Sequence, residues 1–326
     1  MLTLRPATPK DNPAVLACAD AAVPFDPAGN RHWLRQRQQL DPARQQRRHY
    51  VAIEGDDGQI VGYGALEQPH AAADWLRLFV VTPAGRLGDV GQPLYDRLYQ
   101  DALALGARRL VVREYMGDEP LYAFFAGHGF VETGRVWDER LAPHQARLAF
   151  LQPRLAAITA EGFTVTSLAA LQAQTTDWLA GLHDLAVATR PGSTPALTPA
   201  NVTRWLARIL PDGLFLVQHA TDPRFAAGLA LAQDEDDPGR LNIDWFATRP
   251  GYRRRGLTLL LYAQAIHYAQ QRDCHTLATL TADENYTLLA LHAKLGFQRP
   301  FGYVTLERTL ADSERDTPYE SPKETP

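Results

Sequence analysis

The sequence predicts an α/β (α+β) protein made of two tandem copies of one domain, each a mixed central sheet flanked by helices. The length of 326 residues is long for one core and fits two domains of about 150 residues each. A recurrence of short motifs at an offset of 167 residues supports the duplication. The matched pairs are Pro83 and Pro250, Arg86 and Arg253, and Gly129-Phe130 and Gly296-Phe297. A period of this length indicates duplicated domains and not a solenoid.

The first copy, assigned to residues 1–141, alternates strand and helix patterns. β-branched and aromatic runs predict strands at residues 3–7, 49–54, 60–68, 76–81 and 109–113. Apolar residues at three- and four-residue spacing predict helices at 13–22, 33–40, 93–105 and 121–127. The turn Gly55-Asp56-Asp57-Gly58 predicts a hairpin between the second and third strands.

The second copy is assigned to residues 161–310. Residues 142–160 contain Pro143 and Pro153 around a helical run and suit a linker, whereas the polar tail at 311–326 is expected to be disordered. The same patterns predict strands at 163–167, 214–219, 225–233 and 241–248, and helices at 168–188 and 199–210. The loops at 24–27 and 190–195 are expected to border clefts for an acceptor molecule.

The most informative stretch runs from residue 244 to residue 297. A strand at 241–248 is stopped by Arg249-Pro250-Gly251, and Arg253, Arg254, Arg255 and Gly256 follow. A helix is expected to begin at these arginines, since apolar residues then recur at helical spacing. Unpaired N–H groups and partial positive charge at a helix N-terminus suit a pyrophosphate, and Gly256 allows close backbone approach. A solvated basic helix end is the alternative interpretation.

Together with Asn285 and Leu295-Gly296-Phe297, this stretch resembles the GNAT superfamily of N-acyltransferases. The signature of that family is Arg or Gln, two residues, Gly, one residue, then Gly or Ala. Arg253 and Gly256 match it, and Thr258 departs from it at the last position. The tandem layout is similar to that of mycothiol synthase. The resemblance implies acetyl-CoA (an acyl-CoA) as cosubstrate and no metal.

The resemblance also implies roles for individual residues. Asp244, six residues before Pro250, is the candidate base or amine-holding group, with a solvent-facing carboxylate as the alternative. His292 stands four residues before Gly296, where the family often places a Tyr that protonates the leaving thiolate, with packing on a helix face as the alternative. Tyr286 is the second candidate acid. The expected CoA-binding residues are Phe246, Ala247, Thr248, Arg253, Arg254, Arg255, Gly256, Leu257, Thr258 and Asn285, the last of which is also a possible plain N-cap.

The first copy lacks these features at the 167-residue offset. It has Asp89 in place of Gly256, Phe125 in place of His292 and Arg77 in place of Asp244. A carboxylate about 4 Å from a phosphate costs roughly 4 kcal/mol at an effective dielectric near 20. The sequence therefore predicts that the second copy binds CoA and carries the chemistry.

Composition narrows the class of partner. A net charge of -4 and a pI near 6.2 give no global attraction to nucleic acid or anionic membrane. Cys18 and Cys274 lack metal-type spacing, and no secretory signal or spanning segment is apparent, so a cytoplasmic monomer or homodimer is expected. The predicted function is acyl transfer from acetyl-CoA to an amine of a small molecule or peptide. The alternative is a non-catalytic acyl-CoA-binding or scaffold protein.

Overall fold

The computed structural model describes residues 1–26, 29–31, 34, 47–55, 58–68, 73–174, 177–189 and 199–311. The chain divides into two compact units, Met1–Arg135 with the chain from Tyr303 onward, and Val136–Gly302. The predicted tail at 312–326, the loop at 190–195 and most of the helix predicted at 33–40 lie outside the described residues. Each unit is a mixed sheet with helices packed on it, which confirms the predicted α/β class.

The first unit is built on strands of both directions. Its strands are β1 (Thr3–Pro6), β2 (Arg47–Glu54), β3 (Gln59–Glu67), β4 (Trp75–Val81) and β5 (Arg109–Tyr115). Its helices are α1 (Asn12–Ala22), α2 (Gln92–Ala104) and α3 (Glu119–Gly127), and β6 (Val131–Leu141) follows. Strands β1 to β4 pair antiparallel in order, and β4 pairs parallel with β5. The α2 face that the spacing predicts is buried, with Leu94, Leu98 and Ala102 at 0% exposure.

The second unit repeats this plan. Its helices are α4 (Gln152–Ala160), α5 (Leu168–Gln172), α6 (Trp178–Thr189), α7 (Pro199–Leu206), α8 (Leu257–Gln271) and α9 (Tyr286–Leu295). Its strands are β7 (Phe163–Ser167), β8 (Ile209–His219), β9 (Asp222–Gln233), β10 (Arg240–Thr248) and β11 (Thr276–Ala282), and β12 (Gln298–Thr309) follows. Strands β7 to β10 pair antiparallel in order, and β10 pairs parallel with β11.

The last strand of each repeat belongs to the sheet of the other unit. Residues 136–141 of β6 pair antiparallel with β11 in the second unit, and residues 303–309 of β12 pair antiparallel with β5 in the first. The sequence patterns predicted neither strand. The compact units therefore differ from the assigned ranges 1–141 and 161–310, which treat each repeat as contiguous.

The segment predicted as a linker, residues 142–160, is part of the second unit. It forms α4, and Leu151 and Ile158 are buried at 1% and 0% exposure in the same core as Leu257 and Tyr262 of α8. Burial of these side chains fixes the segment against the helix that follows the arginine turn. No helix among the described residues has the length and apolar character needed to cross a bilayer.

Candidate active site

The site begins where two parallel strands separate. β10 and β11 pair only at residues 240–242 with 276–278, so beyond Asn242 and Ala278 the facing edges of the two strands have no ladder partner. On its other edge β10 stays paired with β9 as far as Thr248. The result is a gap at the middle of the sheet, with Phe246 and Ala247 on its β10 side.

Asp244 lies at a β-bulge beside this gap. Ile243 pairs with Leu231 and Trp245 with Ala230, so two steps along β10 match one step along β9. A bulge re-aims a side chain, and the Asp244 carboxylate is exposed to solvent. Its Oδ2 accepts a hydrogen bond of 2.7 Å from the indole N–H of Trp205 on α7. Among the described residues no cation pairs with it, which leaves the carboxylate available to an incoming amine.

The structure corrects one alignment made from the sequence. The constant offset set Asp244 against Arg77, but Arg77 pairs with Val111 whereas Asn242 pairs with Ala278, and Val111 and Ala278 stand 167 residues apart. Arg77 is therefore the counterpart of Asn242. The bulge at residue 244 shifts the register, and the pairing of β4 with β3 has no such shift.

The arginine turn has the backbone shape expected of an anion cradle. Arg254 and Gly256 have φ angles of 63° and 85°, in the left-handed region. A Cβ at position 256 would lie 2.9 Å from Cδ1 of Ile158 and 3.2 Å from Nε of Arg154. Glycine is thus required for both its dihedral and its space. Helix α8 begins at Leu257 and not at the arginines, which form the turn before it.

The backbone N–H groups of this turn are available to a ligand. Within the described residues no acceptor is found for the amides of residues 254–258. The side chains of Arg253 and Arg254 are exposed and make no ion pair or hydrogen bond in the described part of the chain. The Arg255 guanidinium lies 5.6 Å from the ring centre of Tyr252. Unpaired amides at a helix start, surrounded by cations, form an anion-binding site.

Contacts from other elements hold the turn in place. The Tyr252 hydroxyl donates a hydrogen bond of 2.7 Å to Asp222, which starts β9. Arg249 pairs with Asp184 of α6 at 2.5 Å, and Arg154 of α4 donates a hydrogen bond of 2.9 Å to the Arg255 carbonyl. The cradle is therefore formed before any ligand arrives, so binding does not bear the cost of ordering a loop.

The other expected CoA-binding residues flank the turn and the gap. Phe246 packs edge-on against Tyr262 with ring centres 6.3 Å apart, and Ala247 and Leu257 are buried. The Thr248 hydroxyl is buried and has no hydrogen-bond partner. Asn285 is the N-cap of α9, where its side chain accepts from the Leu288 amide at 3.4 Å. That contact satisfies the capping interpretation that the sequence left open.

His292 lies fully buried, at 0% exposure, on the inner face of α9. Its ring stacks on Phe297 at 4.5 Å and tilts against Tyr262 at 4.9 Å. Nδ1 is 2.5 Å from Oε2 of Glu139 on β6, whereas Nε2 has no hydrogen-bond partner. The site thus contains a buried histidine that is bonded at one nitrogen only.

Glu139 is the centre of a small charged group. It is also at 0% exposure, and Nε of Arg299 lies 2.9 Å from its Oε1. Burial raises the pKa of this carboxyl, but hydrogen bonds from His292, Thr281 and Arg299 outweigh it and hold the pKa below the ordinary value. Glu139 is therefore an anion at neutral pH.

Tyr286, the second candidate acid, is not brought to this place. It is the first residue of α9 and is 73% exposed, whereas His292 lies six residues further along on the buried side. Successive residues turn by about 100° around a helix, so the two side chains point to different faces.

Sequence reasoning did not find Glu139, Arg299, Tyr262, Arg154 or Trp205. Glu139 and His292 are 153 residues apart, and their contact depends on the pairing of β6 with β11. A local pattern contains no signal of such a pairing. A buried charge in the run Trp137-Asp138-Glu139-Arg140 was visible only as an unexplained set of polar residues in a strand.

The corresponding turn of the first unit has different contacts. Arg86 pairs with Asp89 at 2.5 Å and with Glu54 at 2.8 Å. The amides of Val90 and Gly91 donate to the Arg86 carbonyl and are consumed within the turn. Arg86 lowers the pKa of Asp89, so the carboxylate stays charged where the second unit presents bare N–H groups.

Comparison with known proteins identifies the domain. Residues 179–297 match the family model described as the acetyltransferase (GNAT) family. No curated protein sequence matches the chain. Within the described residues, no three His, Cys, Asp or Glu side chains are grouped so as to hold a metal ion.

Solved structures share the fold over nearly the whole chain. A tandem GNAT protein from the clavulanic acid biosynthesis pathway has a TM-score of 0.73 at 16% identity, with 95% of this chain and 98% of that chain covered. A GCN5-related N-acetyltransferase from Sphaerobacter thermophilus has a TM-score of 0.67 at 16% identity, covering 94% and 95%. A glucosamine N-acetyltransferase region of a fungal multi-domain β-N-acetylglucosaminidase has a TM-score of 0.72 at 16% identity, covering 94% and 38%.

Proposed function

Since the chain carries a GNAT-family acetyltransferase domain at residues 179–297, we propose that its second unit binds acetyl-CoA and transfers the acyl group to an amine of a small molecule or peptide. The observation that carries this proposal is the turn before α8. Five adjacent backbone amides without acceptors and three exposed arginines form a ready site for a pyrophosphate.

The gap between β10 and β11 supports the placement of the rest of the cofactor. It starts beyond Asn242 and Ala278 and runs toward the arginine turn that ends β10. Bound acetyl-CoA supplies a thioester, whose carbonyl carbon is open to attack and whose thiolate is a good leaving group. Backbone N–H groups of β10 near Phe246 and Ala247 would polarise the acyl oxygen without any particular side chain.

Two side chains are proposed to move protons. The Asp244 carboxylate, oriented by the Trp205 indole, holds the amine of the acceptor and takes up its proton directly or through water. His292 donates a proton from Nε2 to the sulfur that leaves. We assign this step to His292 and not to Tyr286 because the histidine ring has a buried unpaired nitrogen, whereas Tyr286 points to solvent.

The test is calorimetric titration of acetyl-CoA into the wild-type protein, Gly256→Asp and Asp89→Gly. We expect one site, lost in Gly256→Asp and unchanged in Asp89→Gly. Arg253→Gln with Arg254→Gln is the second variant, since its exposed side chains carry no structural contact among the described residues. Two sites, or one site that survives Gly256→Asp, would contradict the assignment to the second unit.

A screen of amines with the wild-type protein then tests transfer itself. Release of free CoA thiol that depends on an added amine supports the proposed reaction. Tight binding of acetyl-CoA with no thiol release for any amine would favour the alternative of a non-catalytic binder.

A further inference from the structure

We propose that Glu139 and Arg299 are a positioning pair that fixes His292 as an Nε2 proton donor, so that a strand of the first repeat completes the site of the second unit. This inference rests on the proposed function. Glu139 lies on β6, within the first repeat assigned from the sequence, and yet its carboxylate is in contact with α9. The second repeat by itself would lack it.

The contact geometry fixes which ring nitrogen carries the permanent proton. Oε2 of Glu139 is 2.5 Å from Nδ1 of His292, and a carboxylate can only accept a hydrogen bond. Nδ1 must therefore be the donor in this contact. The exchangeable position is Nε2, the nitrogen without a partner. The Thr281 hydroxyl, 3.5 Å from Nδ1, lies on the same side of the ring as Glu139.

Arg299 holds the carboxylate in the charged state. Its Nε donates to Oε1 at 2.9 Å, and its Nη2 donates to the Leu289 carbonyl of α9 at 3.3 Å. A guanidinium does not lose its proton in proteins, so this contact opposes protonation of Glu139. The same side chain links the carboxylate to the helix that carries His292. Glu139 thus stays an acceptor while the imidazole changes state.

The groups packed around the imidazole favour its protonated form. Glu139 faces it from β6, the phenol of Tyr262 faces it from α8, and Arg299 from β12 contacts it only through Glu139. Burial raises the pKa of Tyr262 strongly, so that group remains neutral. The one charge in direct contact with the ring is negative, and an adjacent negative charge stabilises an imidazolium.

The unpaired Nε2 is costly unless a ligand uses it. A buried polar atom without a partner costs roughly 1–3 kcal/mol, and both Nε2 of His292 and the Tyr262 hydroxyl are in that state. A structural histidine bonded to Glu139 could place its other nitrogen against a carbonyl or a hydroxyl. This ring instead keeps a nitrogen unpaired, as a proton donor that acts on a bound sulfur would.

The proton transfer balances as follows. The amine nitrogen forms a bond to the acyl carbon, and the carbon–sulfur bond breaks with its electron pair going to sulfur. His292 gives its Nε2 proton to that sulfur and becomes neutral, still donating from Nδ1 to Glu139. The proton lost by the amine nitrogen passes to Asp244 or water, and solvent returns a proton to Nε2 after the thiol leaves.

The first experiment compares wild-type protein with Glu139→Gln. The amide keeps the shape of the side chain and removes its charge. We expect the limb of the kcat profile that falls with rising pH to move to lower pH by about one unit or more, because an imidazolium without its anion loses its proton more readily. The matched control is Asp138→Asn, which makes the same change at the next residue of β6, a buried carboxylate bonded to Arg140.

The second experiment needs no substrate. In ligand-free wild-type protein, the ¹⁵N spectrum of the His292 ring should show protonation at Nδ1 in the neutral form, and Glu139→Gln should titrate at lower pH than wild type. Thermal unfolding of each variant verifies that it is folded. A neutral ring protonated at Nε2 in the wild-type protein would overturn the positioning pair.

The outcomes separate this inference from the proposed function. A wild-type protein that binds acetyl-CoA but transfers its acyl group to no amine would overturn the function. An active wild type whose falling limb is unmoved by Glu139→Gln, or moved equally by Asp138→Asn, would overturn the positioning pair alone.

Discussion

The two units share a backbone plan but differ at the positions beneath the strand gap. Strand register aligns Leu306 of the first unit with Glu139 of the second, because their partners Val112 and Thr279 stand 167 residues apart. At the same offset Phe125 corresponds to His292, and both are at 0% exposure. An apolar pair in one unit thus replaces a histidine–carboxylate pair in the other.

The surroundings of these two pairs are similar. Phe125 packs on Phe130 at 5.3 Å and on Tyr95 at 6.4 Å, as His292 packs on Phe297 and on Tyr262. The Tyr95 hydroxyl accepts a hydrogen bond from Arg308 at 3.0 Å, whereas that of Tyr262 has no partner. The first unit shows that this architecture folds without the polar pair. The pair in the second unit is therefore explained by chemistry better than by stability.

The largest effect is expected from making the second unit like the first. The double variant His292→Phe with Glu139→Leu removes both partners, which avoids leaving a buried charge unpaired. We expect kcat to fall by about 10²–10⁴, the usual contribution of a general acid, while the affinity for acetyl-CoA changes little. Steady-state kinetics, calorimetry and thermal unfolding measure the three quantities.

Tyr286→Phe is the control for this experiment. Because Tyr286 is 73% exposed, we expect its loss to leave kcat within about twofold of wild type, as for surface substitutions in general. A large loss in Tyr286→Phe together with a mild effect of the double variant would transfer the role of acid to the tyrosine.

A smaller effect is expected from Asp244→Asn. The amide can still accept from Trp205 but cannot take up a proton, so kcat should fall by about 10- to 100-fold and the rising limb of its pH profile should flatten. The affinity for acetyl-CoA should stay near the wild-type value. Arg77→Gln in the first unit is the control, and turnover unchanged in Asp244→Asn would remove this residue from the mechanism.

The cradle comparison predicts an intermediate loss of binding. We expect Arg254→Gln to weaken acetyl-CoA about tenfold at low salt and less at high salt, since exposed charges are screened. Arg86→Gln in the first unit should change nothing, because Arg86 is already paired with two carboxylates. Calorimetry at two salt concentrations measures both, and equal effects of the two variants would contradict the comparison.

The smallest effect concerns stability in acid. The pKa of Glu139 is lower in the folded protein than its ordinary value of 4.5, so its contribution is present above that pH and is lost as the pH falls through the folded value. Between pH 7 and pH 4 the Tm of the wild type should fall more than that of the double variant His292→Phe with Glu139→Leu. Parallel curves of Tm against pH would contradict this.

Local chemistry accounts for what was predictable. Proline and glycine after residue 248, arginines before Gly256 and the apolar spacing of α8 are adjacent in the sequence, and they correctly predicted a strand, a turn and a helix in that order. Periodicity likewise predicted the buried face of α2. Boundaries moved by one or two residues, since helix and strand ends depend on capping and on neighbouring strands.

The sequence by itself therefore determined the duplicated α/β plan, the turn and its glycine, and the candidate residues Asp244 and His292. Tertiary structure decided the bulge at Asp244, the Trp205 contact, and the exchange of last strands that brings Glu139 to His292. The physical reason is distance along the chain. A turn or a helix is set by neighbours within a few residues, whereas strand pairing is chosen among all edges in the fold, and the burial that results selects the partner of each polar group.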